Sequence, residues 1–329
     1  MAALNGFHTS GARLVQDYSA DIQGKIILVT GASGGIGALF AKAIATAKPA
    51  MLILAGRTHA TLESTREEII KAFPEINVKV LDIDLSSLES VRSAATTLKS
   101  WDDVTHVDLL VNNAAIMASP YSETRDGFER QFATNYLGPF LFTNLIIDSI
   151  MASKTPRVVN VSSDGHRFSP IRWYDYNFKG GENYEKWRAY GQSKTAVCLM
   201  TMGMAKRLGA KGLTTLSLHP GVFVESSALG RDLDWVTGDA FTSLNAVDIA
   251  MGNSWIEGNF QYKNADEIIS TLVYASFDKV VENHNGAYLM DCHVADQYKD
   301  EVWPWANNAI ESERLWRLTE KLLDQKFEY

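Results

Sequence analysis

A tyrosine and a lysine stand four residues apart in Tyr190-Gly-Gln-Ser-Lys194. On a helix that spacing puts both side chains on one face, one turn apart. A free tyrosine titrates near pH ~10, and a cation within reach lowers that by roughly 1–3. A tyrosine tuned in this way donates or accepts a proton near neutral pH, as the interconversion of an alcohol and a carbonyl compound requires. Of the 12 tyrosines, only Tyr190 has a lysine four positions on. Chance can supply one such pair, so its weight comes from what stands upstream.

Upstream lies Thr30-Gly-Ala-Ser-Gly-Gly-Ile-Gly37, between an apolar run, Lys25–Thr30, and a helical pattern over Gly35–Lys48. Glycines there let the backbone turn tightly and approach a pyrophosphate, whose charge is met by the helix N-terminus. A strand before and a helix after are the context that this motif demands. At the end of the second apolar run an Asp or Glu would bind the ribose 2′-hydroxyl of NAD. The chain reads Ala55-Gly56-Arg57-Thr58 instead. Arg57 offers a planar, permanently charged donor set suited to a 2′-phosphate, so the cofactor expected is NADP(H).

Apolar runs alternate with helical patterns along the chain, the sign of a parallel sheet covered by helices. Strands are expected at Lys25–Thr30, Met51–Ala55, Val78–Ile83, Val107–Val111, Arg157–Val161 and Leu213–Leu218. Helices are expected after Gly35, over Ala60–Phe73, after a capping box Ser86-Ser-Leu-Glu89, over about Phe128–Ala152, and around Tyr190. The expected architecture is one α/β domain, a Rossmann-type doubly wound parallel sheet of about seven strands with helices on both faces. It occupies residues 24–329 after an N-terminal arm, 1–23. Two stretches break the rhythm, 164–189 and 222–262, and both leave the carboxyl ends of strands, where open α/β sheets place their ligands. The first is crowded with aromatics, among them Phe168, Trp173, Tyr174, Tyr176, Phe178, Tyr184 and Trp187, and is expected to wall an apolar substrate.

Composition narrows the classes. The 329 residues are 46% apolar and 21% charged, as in a globular protein with an ample core. A net charge of −8 without a basic stripe excludes nucleic acid as the main partner. Two distant cysteines, Cys198 and Cys292, favour a reducing compartment, and seven scattered histidines give no metal-ligand spacing, so no metal is assigned. The greasy stretch Phe140–Ala152 is interrupted by Asn144 and Asp148 and is too short to span a bilayer. No integral membrane segment and a cytoplasmic location are expected.

Taken in order, these motifs resemble a classical short-chain dehydrogenase/reductase over about Gly24 to Gly221. Thr30–Gly37 fits TGxxxGxG, Asp84-Leu85 the pair that contacts the adenine, and Asn112-Asn113-Ala114 the NNAG segment. Asn135 in Thr-Asn-Tyr-Leu-Gly, the pair Ser162-Ser163, Tyr190xxxLys194 and Pro220-Gly221 complete the series. Phrases such as Val158-Val-Asn-Val-Ser-Ser-Asp-Gly-His166 and Glu313-Arg-Leu-Trp316 are similar to the retinol-dehydrogenase-like branch, especially its fungal members. The resemblance implies that Tyr190 exchanges the proton, that Lys194 holds the ribose and biases Tyr190 toward its anion, and that Ser163 orients the substrate oxygen. It also implies that Asn135 anchors a water near the lysine. Cofactor contacts are implied for Gly31, Ser33, Gly35, Ile36, Gly37, Arg57, Asp84, Leu85, Asn113, Tyr190, Lys194 and the backbone of Val222.

Two departures stand out. Ala115 replaces the glycine of NNAG. Val222-Phe-Val-Glu-Ser226 lacks the usual threonine that meets the nicotinamide carboxamide, leaving that contact to Ser226 or Glu225. The implied function is an NADP(H)-dependent oxidoreductase acting on a lipophilic ketone, aldehyde or alcohol, with a fungal polyketide or terpenoid as the expected substrate. A homodimer through helices near 128–152 and 190–208 is a further implication. Two other readings are a non-redox lyase or epimerase and a non-catalytic NADP(H)-binding regulator. TGxxxGxG spacing disfavours the first, and the presence of Ser163, Tyr190 and Lys194 disfavours the second.

Overall fold

The computed structural model describes residues 5–223, 229, 233–234, 238–253, 261–300 and 302–329. Six strands lie close to where the apolar runs put them: β1 Ile26–Thr30, β2 Met51–Gly56, β3 Asn77–Asp82, β4 Leu109–Asn112, β5 Arg157–Val161 and β6 Thr214–Leu218. Two short strands follow, β7 Tyr288–Met290 and β8 His293–Val294. They form one sheet in the order β3-β2-β1-β4-β5-β6-β7-β8, parallel except for the β7–β8 pair. The central strands are buried on both faces, which is why β1, β2, β4 and β5 read as mostly apolar runs, broken only by a few buried polar residues such as Asn112, Arg157 and Asn160, rather than alternating ones. Strand order reverses between β1 and β4, and that switch opens a crevice beyond their carboxyl ends.

One face packs under helices Leu88–Lys99, Gly138–Leu145, Lys186–Leu208 and Ala309–Leu322. The other packs under Gly35–Ala45, His59–Ala72 and Ser270–Phe277. Helix Gly11–Asp17 joins this second core through Leu14 and Val15, and Ala12 N donates to Asp266 Oδ1 at 2.7 Å. The stretch expected to be a simple arm is thus partly a helix built into the fold.

Two local expectations are corrected. The cap of helix Leu88–Lys99 is Ser87, not Ser86, because Asp84 Oδ1 captures both the amide and the hydroxyl of Ser86 at 2.9 and 2.6 Å. The long helix expected over 128–152 is broken into Arg130–Phe132, a π-helical turn Ala133–Leu137, Gly138–Leu145 and Ile147–Met151. Pro139 has no N–H to offer the carbonyl of Asn135, and the widened turn accommodates that loss.

Helix Ala309–Leu322 was not expected. Asn308 caps it, accepting from the amides of Ile310 and Glu311. Its Trp316 is buried against Gly203, where a Cβ would come within 2.9 Å of the indole, and against Phe140 at 4.7 Å between ring centroids. Ser312 Oγ donates to Leu199 O at 2.7 Å, and Tyr136 and Thr319 share a hydroxyl hydrogen bond of 2.5 Å. This helix therefore lies over the two helices through which the sequence implied a homodimer. No described helix is long and apolar enough to cross a membrane.

Candidate active site

A cleft of about 1160 Å³ occupies the crevice at the carboxyl ends of the strands. One end is walled by the turn after β1. Gly31 has φ +69°, and a Cβ there would lie 2.8 Å from Ala114 Cα. A Cβ on Gly37 would meet the Gly31 carbonyl oxygen. Gly34 and Gly35 face open space, leaving bare backbone for a ligand. Asn113 supports this turn from behind: its Nδ2 donates to Thr30 O at 2.9 Å, and Thr30 Oγ1 accepts from the amides of Asn113 and Ala114.

Gly31, Ser33, Gly35, Ile36, Arg57, Asp84, Leu85, Asn113, Ser163, Tyr190, Lys194 and Val222 all line the cleft. Gly37 and Asn135 stand behind its wall, and Glu225 and Ser226 lie outside the described residues. Arg57 is exposed at the end of β2 with no ion pair among the described residues. Its neighbouring carboxylates are engaged, Asp82 with His59 and Asp84 with Ser86. These features form a cradle that fits a dinucleotide: uncrowded backbone amides at a helix N-terminus and an uncommitted guanidinium beside it.

The reactive groups meet at the middle of the cleft. Helix Lys186–Leu208 carries Tyr190 and Lys194, and the turn Asp164–Phe168 after β5 carries Ser163 as its cap. The two elements approach because glycines permit it. A Cβ on Gly165 would come within 2.7 Å of the Tyr190 ring, and one on Gly191 within 2.8 Å of Phe168 Cβ. Tyr190 and Ser163 both line the cleft here, near enough for the serine to bear on the tyrosine's ionisation. Ser163 Oγ also donates to Asp164 Oδ1 at 3.0 Å and accepts from Gly165 N at 3.0 Å. Both serines of the pair line the cleft, but the Ser162 hydroxyl is engaged with Lys194 O and Cys198 Sγ.

The electrostatics differ from the sequence expectation. Burial pushes the Tyr190 hydroxyl well above its ordinary value; Ser163 opposes this, and the charge of Asp164 adds to it. Lys194 Nζ donates to Val161 O at 2.9 Å and sits 5.7 Å from the Tyr190 ring centroid. Burial pushes Lys194 itself down to about 8. The expected lowering of the tyrosine by its lysine is therefore absent in the free chain, because desolvation outweighs a cation engaged elsewhere. Asn135 is buried behind the centre, with its side chain bonded to protein groups. Its amide donates to Ile116 O and Ser193 Oγ, both at 2.9 Å, and its Oδ1 accepts from Ile116 N at 2.8 Å.

The aromatic insertion divides. Phe168 and Trp187 line the cleft. Phe178 is buried away from it, Trp173 and Tyr176 pack on the main core, Tyr184 bonds Ser119 O and Gln131, and Tyr174 is 98% exposed. Most of these rings therefore attach the insertion to the body rather than wall a substrate. Met117, Leu233, Phe241 and Leu244 complete the apolar side instead.

A family model described as short chain dehydrogenase matches residues 25–234. The chain belongs to the short-chain dehydrogenase family. Among relatives of this dehydrogenase, short-chain dehydrogenase/reductase prx1 of Penicillium rubens is 37% identical over 310 residues, 91% of this chain and 85% of that protein. Human retinol dehydrogenase 12 is 33% identical over 94% of this chain and 90% of its own length. The crystal structure of an uncharacterized protein from Mycobacterium paratuberculosis matches 94% of this chain and 98% of its own, with a TM-score of 0.68 and 29% identity.

Sequence reasoning passed over four polar groups that line the dehydrogenase's cleft: Asp164, Arg167, His219 and Lys263. Arg167 bonds Asp164 Oδ2 at 2.7 Å and Asp248 Oδ1 at 2.8 Å. Burial opposes the charge on Asp164, but His219 and the Arg167 guanidinium hold its carboxyl far below the usual range. Lys263 reaches Asp291 Oδ1 at 2.6 Å, and its stem fills the space beside Gly221, whose φ is +111°. The only signals available were the charges of Asp164 and Arg167 amid aromatics and the histidine preceding Pro220-Gly221.

Proposed function

We propose that this dehydrogenase is an NADP(H)-dependent enzyme that interconverts an aldehyde or ketone and an alcohol on a lipophilic small molecule. The observation that carries the reading is the gathering of Ser163, Tyr190 and Lys194 in one cleft with the glycine cradle and Arg57. When bound, a reduced nicotinamide supplies a hydride to the carbonyl carbon. The carbonyl oxygen enters between Ser163 and Tyr190 and accepts a hydrogen bond from each. Tyr190, held protonated by its burial, gives its proton to that oxygen as negative charge develops there. Lys194 remains close enough to support the phenolate left behind. Arg57 receives the 2′-phosphate, Asp84 and Leu85 meet the adenine, and Asn135 fixes Ile116 and Ser193 around the centre.

Supporting a neutral, apolar substrate are the side chains of Met117, Phe168, Trp187, Leu233 and Leu244. Retinol dehydrogenase 12 by its name acts on such an alcohol, and among lipophilic substrates a fungal secondary metabolite, a polyketide or terpenoid, is the reading we favour. Two buried, free cysteines suit a reducing cytoplasm. The deciding test follows NADPH consumption across a panel of apolar aldehydes and ketones with wild type and Tyr190→Phe. Turnover by the wild type and its near loss in the variant are expected; an unimpaired variant would end the acid–base assignment.

A further inference from the structure

Three residues beyond Ser163 lies His166, fully buried and outside the cleft lining. Its Nδ1 is 2.8 Å from the carbonyl oxygen of Ser163, and its Nε2 is 3.1 Å from the amide nitrogen of Trp303. A carbonyl only accepts and a backbone N–H only donates, so both bonds require one neutral tautomer, with the proton on Nδ1. Burial pushes the ring down to about 4, which keeps it neutral. The carbonyl of His166 in turn accepts from Trp305 Nε1 at 3.0 Å and from Thr195 Oγ1 at 3.1 Å. Thr195 follows Lys194 on the helix. A single residue thus joins the serine turn, the tyrosine–lysine helix and the chain at 303–305.

We propose that His166 is a positioning residue for the reaction: its Nδ1–H grips the Ser163 carbonyl and fixes where the serine hydroxyl stands relative to Tyr190. The proposal rests on the catalytic reading of Ser163 given above. Ser163 begins the turn, just after Ser162, whose amide donates to Leu218 O at 2.8 Å. The Ser163 carbonyl is held by the ring bond together with the backbone amide of His166, which donates to it at 3.2 Å. Trp303 and Trp305, stacked at 4.8 Å, hold the ring's other edge and its backbone, so a distant segment bears on the geometry of the reacting hydroxyls.

Two substitutions separate positioning from mere packing. The amide of His166→Asn can reproduce the Nδ1–H donor, and that of His166→Gln can reproduce only the acceptor facing Trp303. With the fastest-reduced member of a panel of apolar aldehydes, decanal included, H166Q should lose about 10²-fold in kcat, the scale of a misplaced reacting group. Its KM for NADPH should stay within about twofold, and H166N should retain kcat within about threefold of wild type. Equal kcat values for H166N and H166Q overturn the proposal. NMR of histidine-labelled wild type, assigned by loss of the signal in H166Q, should find the Nδ1–H tautomer at neutral pH. An Nε2–H ring overturns the proposal without any substrate. Ser163→Ala distinguishes the two levels: an active alanine variant removes the catalytic reading of Ser163, whereas an inactive one beside two indistinguishable His166 variants removes only the role of His166.

Discussion

Replacing Arg57 by alanine should separate the two nicotinamide cofactors. The guanidinium stands at the end of β2 without a carboxylate partner among the described residues, so nothing must be broken before it meets a phosphate. Hydrogen bonds to charged groups contribute about 1.5–3 kcal/mol net. Arg57 is exposed and its field is screened by salt, which favours the lower part of that range, about 1.5–2 kcal/mol. At 1.4 kcal/mol for each factor of ten, NADPH should bind about 10–30-fold more weakly to R57A. NADH binding should be unchanged, because no 2′-phosphate is lost. Titration of nicotinamide fluorescence on the purified proteins measures both without any knowledge of the substrate. Added salt should weaken NADPH binding to wild type more than to R57A. The reasoning is refuted if the variant weakens NADH and NADPH equally, or if the wild type never distinguished them.

Gly31→Ala combines a left-handed backbone with a Cβ 2.8 Å from Ala114 Cα; a loss of about 1–3 kcal/mol from strain and more than tenfold weaker NADPH binding are expected from melting and titration. Trp316→Ala empties a fully enclosed site between helices, which typically costs about 3–5 kcal/mol and should be visible as a lower urea midpoint. Burial raises the Glu129 carboxyl to about 7, although the amides of Gln131 and Phe132 oppose this. Between its unfolded value, near ~4.3, and about 7 the folded chain then holds more proton than the unfolded one, so this residue's contribution falls as pH rises through that window. Denaturation midpoints of wild type and Glu129→Gln should diverge least near pH 7 and most near pH 5 if that sign is wrong, and the reverse trend if it is right, after allowing for the acceptor that the amide loses.

The central strands were legible because a sheet buried on both faces needs mostly apolar runs, such as Ile26–Thr30 and Met51–Gly56. Strands of three and two residues, β7 and β8, carry no such pattern; their place at the sheet edge decides them. The glycine turn, Ser163, Tyr190 and Lys194 were legible as a set because strand and helix flank them at fixed spacing. Burial was not legible. Spacing of four puts Lys194 on the face of Tyr190, yet it cannot reveal that Val161 O takes the ammonium or that desolvation governs the phenol. Aromatic density in the insertion misled for a related reason, since a ring that walls a ligand and a ring that anchors a loop have the same composition. His166 gave no signal because both of its partners are backbone atoms.

The helix Ala309–Leu322 has a consequence for how the protein is made. Chains leave the ribosome N-terminal end first, at about 5–20 residues per second, and the helix bearing Tyr190 emerges roughly a hundred residues before the one that covers it. For some seconds the flank around Gly203 and Phe140 has no indole against it. During that interval the catalytic machinery is translated but its back is an open greasy surface, one that a folding chaperone could hold and that a stalled or truncated chain would never close.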